Sequence, residues 1–268
     1  IFGKLPLTPN HILVFKKKFR ENSFRVLGEF VIVCVTENNE VVNRVIPKLS
    51  PQQMIFQGSW IWNENPLLVL TTSSAVQIFD WDGAILLHTY HSKSPTTSVG
   101  SSAYKGIIGL PSGRICIGIH SGEILALNLK ESDNLAFVEE GKFKWFSYPV
   151  TALASQSKVV AASDSQANII IGSDEETLEM TKIIEPYGKD PSITCLELLN
   201  EIVIAGYMSG HIRIFSIITG IIQAEIQANA RSVLSLDMVF SIFFLLSVSE
   251  DSFVRVWKIN LTSELYRA

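Results

Sequence analysis

SVLSLDMVFSIFFLLSVSEDSFVRVWKI, Ser232 to Ile259, holds three β-type runs: Val233 to Met238, Ile242 to Ser249 and Phe253 to Ile259. Glu250-Asp251-Ser252 forms a turn between the last two. In the final run Phe253, Arg255 and Trp257 fall on one face and Val254, Val256 and Lys258 on the other, the period of two of an extended chain. IFFLL is apolar on both faces and predicts a strand buried from both sides. Asp251 suits the turn because its carboxylate can accept backbone N–H groups that a tight turn leaves free.

The pattern recurs. Trp257 stands six residues after Asp251, and the same offset joins Phe215 to Ser209, Ile171 to Ser165, Leu127 to Ser121 and Phe79 to Ser73. The bulky residues are spaced by 48, 44, 44 and 42 positions. Serine makes a weaker version of the aspartate turn, and Gly122 and Gly210 supply a positive φ beside it. An apolar run, a turn aspartate and V-R-V-W at this spacing resemble the WD repeat, one four-stranded blade of a β-propeller, with a length of about 40 to 45 residues. The likeness is strongest in IAGYMSGHIRIF and LLSVSEDSFVRVWK and extends back through ICIGIHSGEILALNL and PLLVLTTSSAVQIF.

The expected fold is therefore an all-β WD-repeat β-propeller, a single domain over 1–268. Six blades are visible, at about 1–50, 51–94, 95–142, 143–186, 187–228 and 229–268. The resemblance implies seven in the complete protein, with a further C-terminal segment to follow. Composition agrees, since 47% hydrophobic with 18% charged residues suits strands covered on both faces. The charge-free run Met238 to Ser249 has 12 residues, short of the roughly 20 of a helical membrane span. Without an initiator methionine or a leader-like start, the chain reads as a piece of a longer protein. Cys34, Cys116 and Cys195 lie in apolar runs; an odd number without a CxxC pair argues against disulfides or a zinc site and for a reducing, cytoplasmic setting.

Candidate sites are few. Up to Ser50 the chain carries eight basic and four acidic residues, and KKKFR at 16–20 reads as a solvated hairpin end, not a nucleic-acid patch, because nothing extends it. Trp60 and Trp62 share a side and read as packing. The acidic triplet Asp174-Glu175-Glu176 reads as a hydrated hairpin tip, lacking the spaced oxygens and glycine of a calcium loop. Lys142 to Pro149, KFKWFSYP, falls in the link between blades, where the family often places a Gly-His pair whose histidine bonds to the turn aspartate; here that pair is missing. Trp145, Phe146 and Tyr148 are thus candidate partner-binding residues; the alternative is that they fill space left by the missing histidine. Asn229 falls at the histidine position of the last repeat, so an amide bond or nothing replaces that contact. Ser73, Ser121, Ser165, Ser209, Asp251 and Trp257 are the candidate structural residues of the blade turns.

Catalysis is not expected. His11, His88, His91, His120 and His211 lack partners at metal or triad spacing, and there is no G-x-S-x-G, P-loop or H-E-x-x-H. No cofactor, metal or nucleic acid is implied, and nothing indicates a homo-oligomer. The resemblance implies an intracellular, non-enzymatic protein-interaction scaffold in signalling; the alternative is a structural subunit of a larger ciliary or microtubule-associated assembly.

Overall fold

The computed structural model describes residues 11–19, 26–35, 41–45, 55–61, 66–72, 75–80, 83–91, 104–130, 136–189, 192–239 and 243–259. Every regular element among them is a β-strand, and the chain divides into two compact units, Ile1–Val150 and Thr151–Ala268. In the first, β1 (His11–Phe19), β2 (Val26–Val35) and β3 (Val41–Val45) form one sheet. A second comprises β4 (Ile55–Ile61), β5 (Leu67–Thr72), β6 (Ala75–Phe79) and β7 (Leu86–His91). A third comprises β8 (Tyr104–Gly109), β9 (Arg114–Ile119), β10 (Glu123–Lys130) and β11 (Ala136–Lys144).

The second unit begins with β12 (Val150–Gln156), whose first residue is the last of the unit before it, followed by β13 (Val159–Asp164), β14 (Ile169–Asp174) and β15 (Leu178–Ile184). Next come β16 (Ile193–Leu199), β17 (Ile202–Tyr207), β18 (His211–Ser216) and β19 (Ile222–Gln227), then β20 (Val233–Val239), β21 (Phe244–Ser249) and β22 (Val254–Lys258). Each sheet is an antiparallel meander in chain order, the pairing that short turns permit.

Burial explains the composition. The second and third strands of the complete sheets, such as β5, β6, β9 and β17, are buried along their whole length, whereas the fourth strands β15 and β19 are mostly exposed or half-buried. Isoleucine, valine and leucine therefore run uninterrupted where both faces are covered. Within the first unit β4–β7 and β8–β11 share a core through Val69, Ile78, Ile115 and Leu125. Within the second, Ile204, Ile212 and Ile214 of one sheet meet Leu236, Met238 and Leu245 of the next.

The repeat marker has a structural meaning. In all four four-stranded sheets the pairing of third and fourth strands shifts register at the bulky residue, at Phe79, Leu127, Ile171 and Phe215. A bulge there sharpens local twist, and a large buried side chain anchors it.

Three expectations are corrected. IFFLL is not buried from both sides: Leu245 is buried, but Phe244 and Leu246 are only half-buried and Phe243 is exposed, since among the described residues of the second unit no further sheet follows this one. Lys142 to Lys144 are not part of a loop; they extend β11 opposite Glu123 to Leu125, which shortens the aromatic link to residues 145–149. Asp174 is not at a hydrated tip but buried at the end of β14, where its N–H donates to Lys158 O, leaving Glu175 and Glu176 exposed.

Candidate interaction site

The aromatic link is built on Gly122. This residue closes the β9–β10 hairpin at φ +86°, where its N–H donates to Ile119 O, and its own carbonyl accepts the Phe146 N–H at 2.9 Å. Only glycine fits, because an added Cβ would stand 2.3 Å from Phe146 O and 2.6 Å from Tyr148 O. The backbone of residues 146–148 is thereby clamped against the turn. Trp145 and Phe146 are turned inward, 8% and 5% exposed, while Tyr148 is 50% exposed. What the segment offers to solvent is Tyr148, beside exposed His120 and Ser121.

The same clamp recurs in the second unit. Gly210, at φ +88°, accepts the Asn229 N–H at 3.0 Å, and a Cβ there would stand 2.2 Å from Asn229 O. Its hairpin carries Ser209, whose hydroxyl lies 2.9 Å from His211 Nδ1. Two residues on, Arg213 is buried with its Nε donating to Glu225 at 2.6 Å and Nη1 to Tyr187 O at 3.1 Å. The guanidinium stacks on the rings of Tyr187 and Tyr207, 5.3 and 4.5 Å from their centroids. The loop that the sequence marks only by YGKDP is thus tied down by an arginine from the neighbouring strand.

At the turn that opened the sequence reading, Asp251 performs two tasks. Its carboxylate accepts the Phe253 N–H of its own turn at 3.1 Å and the Ala230 N–H of the preceding link at 3.1 Å. Arg255 Nη1 donates to both carboxylate oxygens, at 2.9 and 3.1 Å, and to Asn229 Oδ1 at 2.5 Å. The link between the histidine position and the turn aspartate therefore runs from Asn229 through Arg255. Trp257 Nε1 donates to the buried Ser247 hydroxyl at 2.9 Å.

These contacts, above all the Arg255 hydrogen bond, hold the Asp251 carboxyl down to about 2. A carboxyl whose folded value is depressed stabilises the fold above its unfolded value, near 4, and that contribution is lost as pH falls through about 2. Asp251→Asn is expected to lower Tm at neutral pH and to remove this part of the acid limb. Melting curves from pH 5 to pH 2 decide it, and parallel curves for both proteins would sink the assignment.

The other turn serines divide. Ser73 lies outside the described residues. Ser121 is exposed and donates to Glu123 at 2.6 Å. At Ser165 the acceptor is its neighbour Asp164, buried, whose carboxylate takes the Gln166 and Asn168 N–H groups at 2.9 and 3.0 Å and Asn168 Nδ2 at 2.8 Å. Thr72 closes the corresponding turn of its own sheet, its hydroxyl accepting the Ala75 N–H at 3.0 Å. Sequence reading missed both because they end the preceding strand, one position ahead of the counted serine.

Arg213 was also missed, although R-I-F and R-V-W place an arginine two residues before the marker in both final repeats. Burial pushes the Cys195 thiol up to about 12, which keeps it protonated and unreactive near neutral pH. Among the described residues no three of His, Cys, Asp or Glu come together as a metal site, and no helix is long and apolar enough to cross a membrane.

Sheets of this type, with turn clamps between consecutive sheets, define a WD-repeat β-propeller. Solved structures agree: that of Saccharomyces cerevisiae Sqt1 superposes with a TM-score of 0.66 at 13% identity, covering 87% of this chain and 66% of that one. A mitotic checkpoint complex chain gives 0.65 at 14% identity, covering 87% and 70%. The WDR54 family model matches residues 45–266, and the chain belongs to that family. Over 207 residues it is 30% identical to WD repeat domain 54 of Rattus norvegicus and 27% identical to WD repeat-containing protein 54 of Homo sapiens, in each case across 74% of this chain. The chain spans about 60% of the length of the curated relatives it matches.

Proposed function

We propose that this chain is a non-catalytic protein-interaction scaffold acting in the cytoplasm, in intracellular signalling, with Tyr148 as the exposed contact of the aromatic link. The observation that carries this reading is the Gly122 clamp. It fixes the backbone of residues 146–148 on a rigid hairpin, so that the half-exposed Tyr148 ring is presented with little conformational entropy left to lose on binding. Tyrosine suits such a role because it combines a large apolar face with a hydroxyl. Trp145 and Phe146 of the same link are buried and leave Tyr148 as its exposed ring. WD-repeat family membership supports a binding module rather than an enzyme, and the free thiols Cys116 and Cys195 suit a reducing compartment.

The test is affinity purification with quantitative mass spectrometry, comparing the wild type with Tyr148→Ala. Truncating an exposed ring is expected to leave Tm within about 2 °C. At least one bound protein should fall by roughly tenfold, the weakening that a central aromatic contact typically brings. An identical set of bound proteins in both samples removes Tyr148 from the role.

A further inference from the structure

The hairpin between β18 and β19 reads I-I-T-G-I-I from Ile217 to Ile222, and its isoleucines divide into two pairs. Ile217 and Ile222 are half-buried and pack against the core shared by β12–β15 and β16–β19. Ile218 and Ile221 are 60% and 64% exposed. Closing the turn does not require them. Gly220, at φ +78°, donates its N–H to Ser216 O at 2.8 Å, the Ser216 hydroxyl accepts the Thr219 N–H at 3.1 Å, and the Ser216 N–H donates to Ile221 O at 2.9 Å.

The equivalent turn of the preceding sheet shows that the repeat does not require them either. Counted from the marker residues Ile171 and Phe215, Asp174 stands at the position of Ile218 and Thr177 at that of Ile221. Polar residues build that turn.

The apolar tip is also held from outside. Ile217 donates its N–H to Glu201 O of the β16–β17 hairpin at 2.8 Å, Lys182 Nζ of β15 donates to Ile218 O, and a Cβ on Gly220 would stand 3.9 Å from Ile184 Cγ1. Two large aliphatic side chains thus stand in water on a backbone pinned at both flanks. Little ordering entropy is left to lose when a partner covers them.

Charge selects the partner. Asp174 to Glu201, the stretch that supplies β15 and the neighbouring hairpin, holds eight acidic and two basic residues, a balance of −6 against −4 for the whole chain. Glu185, next to the Ile184 that faces Gly220, and Glu201, which holds Ile217, are both exposed. The ammonium of Lys182 is turned to Ile218 O. Such a border repels nucleic acid and anionic membrane surfaces and attracts a basic polypeptide. A second copy presenting the same tip would set glutamate against glutamate.

We propose that the Ile218–Ile221 tip, bordered by Glu185 and Glu201, docks a short basic segment of another protein, with aliphatic side chains on the two isoleucines and lysine or arginine on the two glutamates. The site lies in the second unit and holds whether or not Tyr148 binds.

Fluorescence anisotropy with a short labelled peptide of isoleucines set among lysines and serines tests this, alongside the same peptide carrying glutamate for lysine. The lysine peptide should bind saturably, and more weakly as salt is raised. Ile218→Ser with Ile221→Ser should weaken binding by roughly tenfold, the loss of two covered aliphatic contacts. Glu185→Gln with Glu201→Gln should weaken it and flatten its salt dependence. Ile85→Ser, at a residue 61% exposed in the first unit, should leave binding unchanged. All of these substitutions are exposed and should keep Tm within about 2 °C. A lysine peptide that does not saturate, or a glutamate peptide that binds as well, overturns the proposal. So does an Ile85→Ser loss as large as that of the double serine variant, which marks general adhesion to exposed isoleucine. A mass that doubles with concentration in the wild type and not in the double serine variant overturns it in favour of a second copy.

Discussion

Gly210→Ala is expected to lower Tm by on the order of 10 °C. At φ +88° the left-handed conformation costs an L-residue about 1–2 kcal/mol. The new Cβ would stand 2.2 Å from Asn229 O and 2.8 Å from Arg231 O, and because both are backbone atoms no side-chain rotation relieves the overlap. The link must move, which breaks the Asn229 N–H bond to Gly210 O and draws Ala230 away from Asp251. A further ~2 kcal/mol for these losses brings the total to about 3–5 kcal/mol. Gly122→Ala should match it, since Phe146 O and Tyr148 O stand equally close. Gly220→Ala separates the two contributions. Its φ is +78°, but the nearest atom to its Cβ is Ile184 Cγ1 at 3.9 Å, so only the conformational cost of about 1–2 kcal/mol remains. Calorimetry on the three variants checks the order, and a Gly210→Ala protein as stable as Gly220→Ala would refute the clamp.

These glycines show which parts of the structure were written legibly in the chain. Gly122 and Gly210 follow a serine in a hairpin, and their positive φ could be read from that position alone. Their second role, accepting an N–H from the next link, could not, because it joins residues 24 and 19 positions apart in two different irregular segments. Strands were legible for a simpler reason. A buried second or third strand needs β-branched and aliphatic residues throughout, so EIVIAGY and RICIGI declare themselves. Fourth strands are exposed and only weakly patterned, which is why Lys142 to Lys144 looked like a loop and proved to be the end of β11.

Inward or outward orientation in KFKWFSYP was equally hidden. Aromatic residues serve a core and a contact surface alike, and only the clamp at Gly122 turns Trp145 and Phe146 in and leaves Tyr148 out. Arg213 escaped because a charged residue in a strand ordinarily reads as solvent-facing. It is buried here because Glu225 and two tyrosine rings receive it together.

Phe215→Ala is expected to cost about 3–5 kcal/mol, more than Trp257→Ala, although tryptophan is the larger side chain and the more conspicuous marker of the repeat. Cost follows the environment lost. Phe215 is 2% exposed in a core cluster that also holds Ala161, Ile169, Val203 and Ala205, drawn from two sheets whose backbones are held by ladder hydrogen bonds, which limits how far they can close on the vacated volume. It also stands at the bulge that sets the path of β19, so its removal loosens the pairing of that strand. Trp257 is half-buried at the edge of its cluster, and water can enter where the indole was. Its distinctive contribution is the hydrogen bond to Ser247, a buried hydroxyl that the indole N–H satisfies. Trp257→Phe, which keeps most of the ring and removes the donor, isolates that bond at about 1 kcal/mol. Urea unfolding followed by far-ultraviolet circular dichroism ranks the three. A Trp257→Ala loss exceeding that of Phe215→Ala would mean that the last sheet, not the buried pair of sheets before it, holds the second unit together.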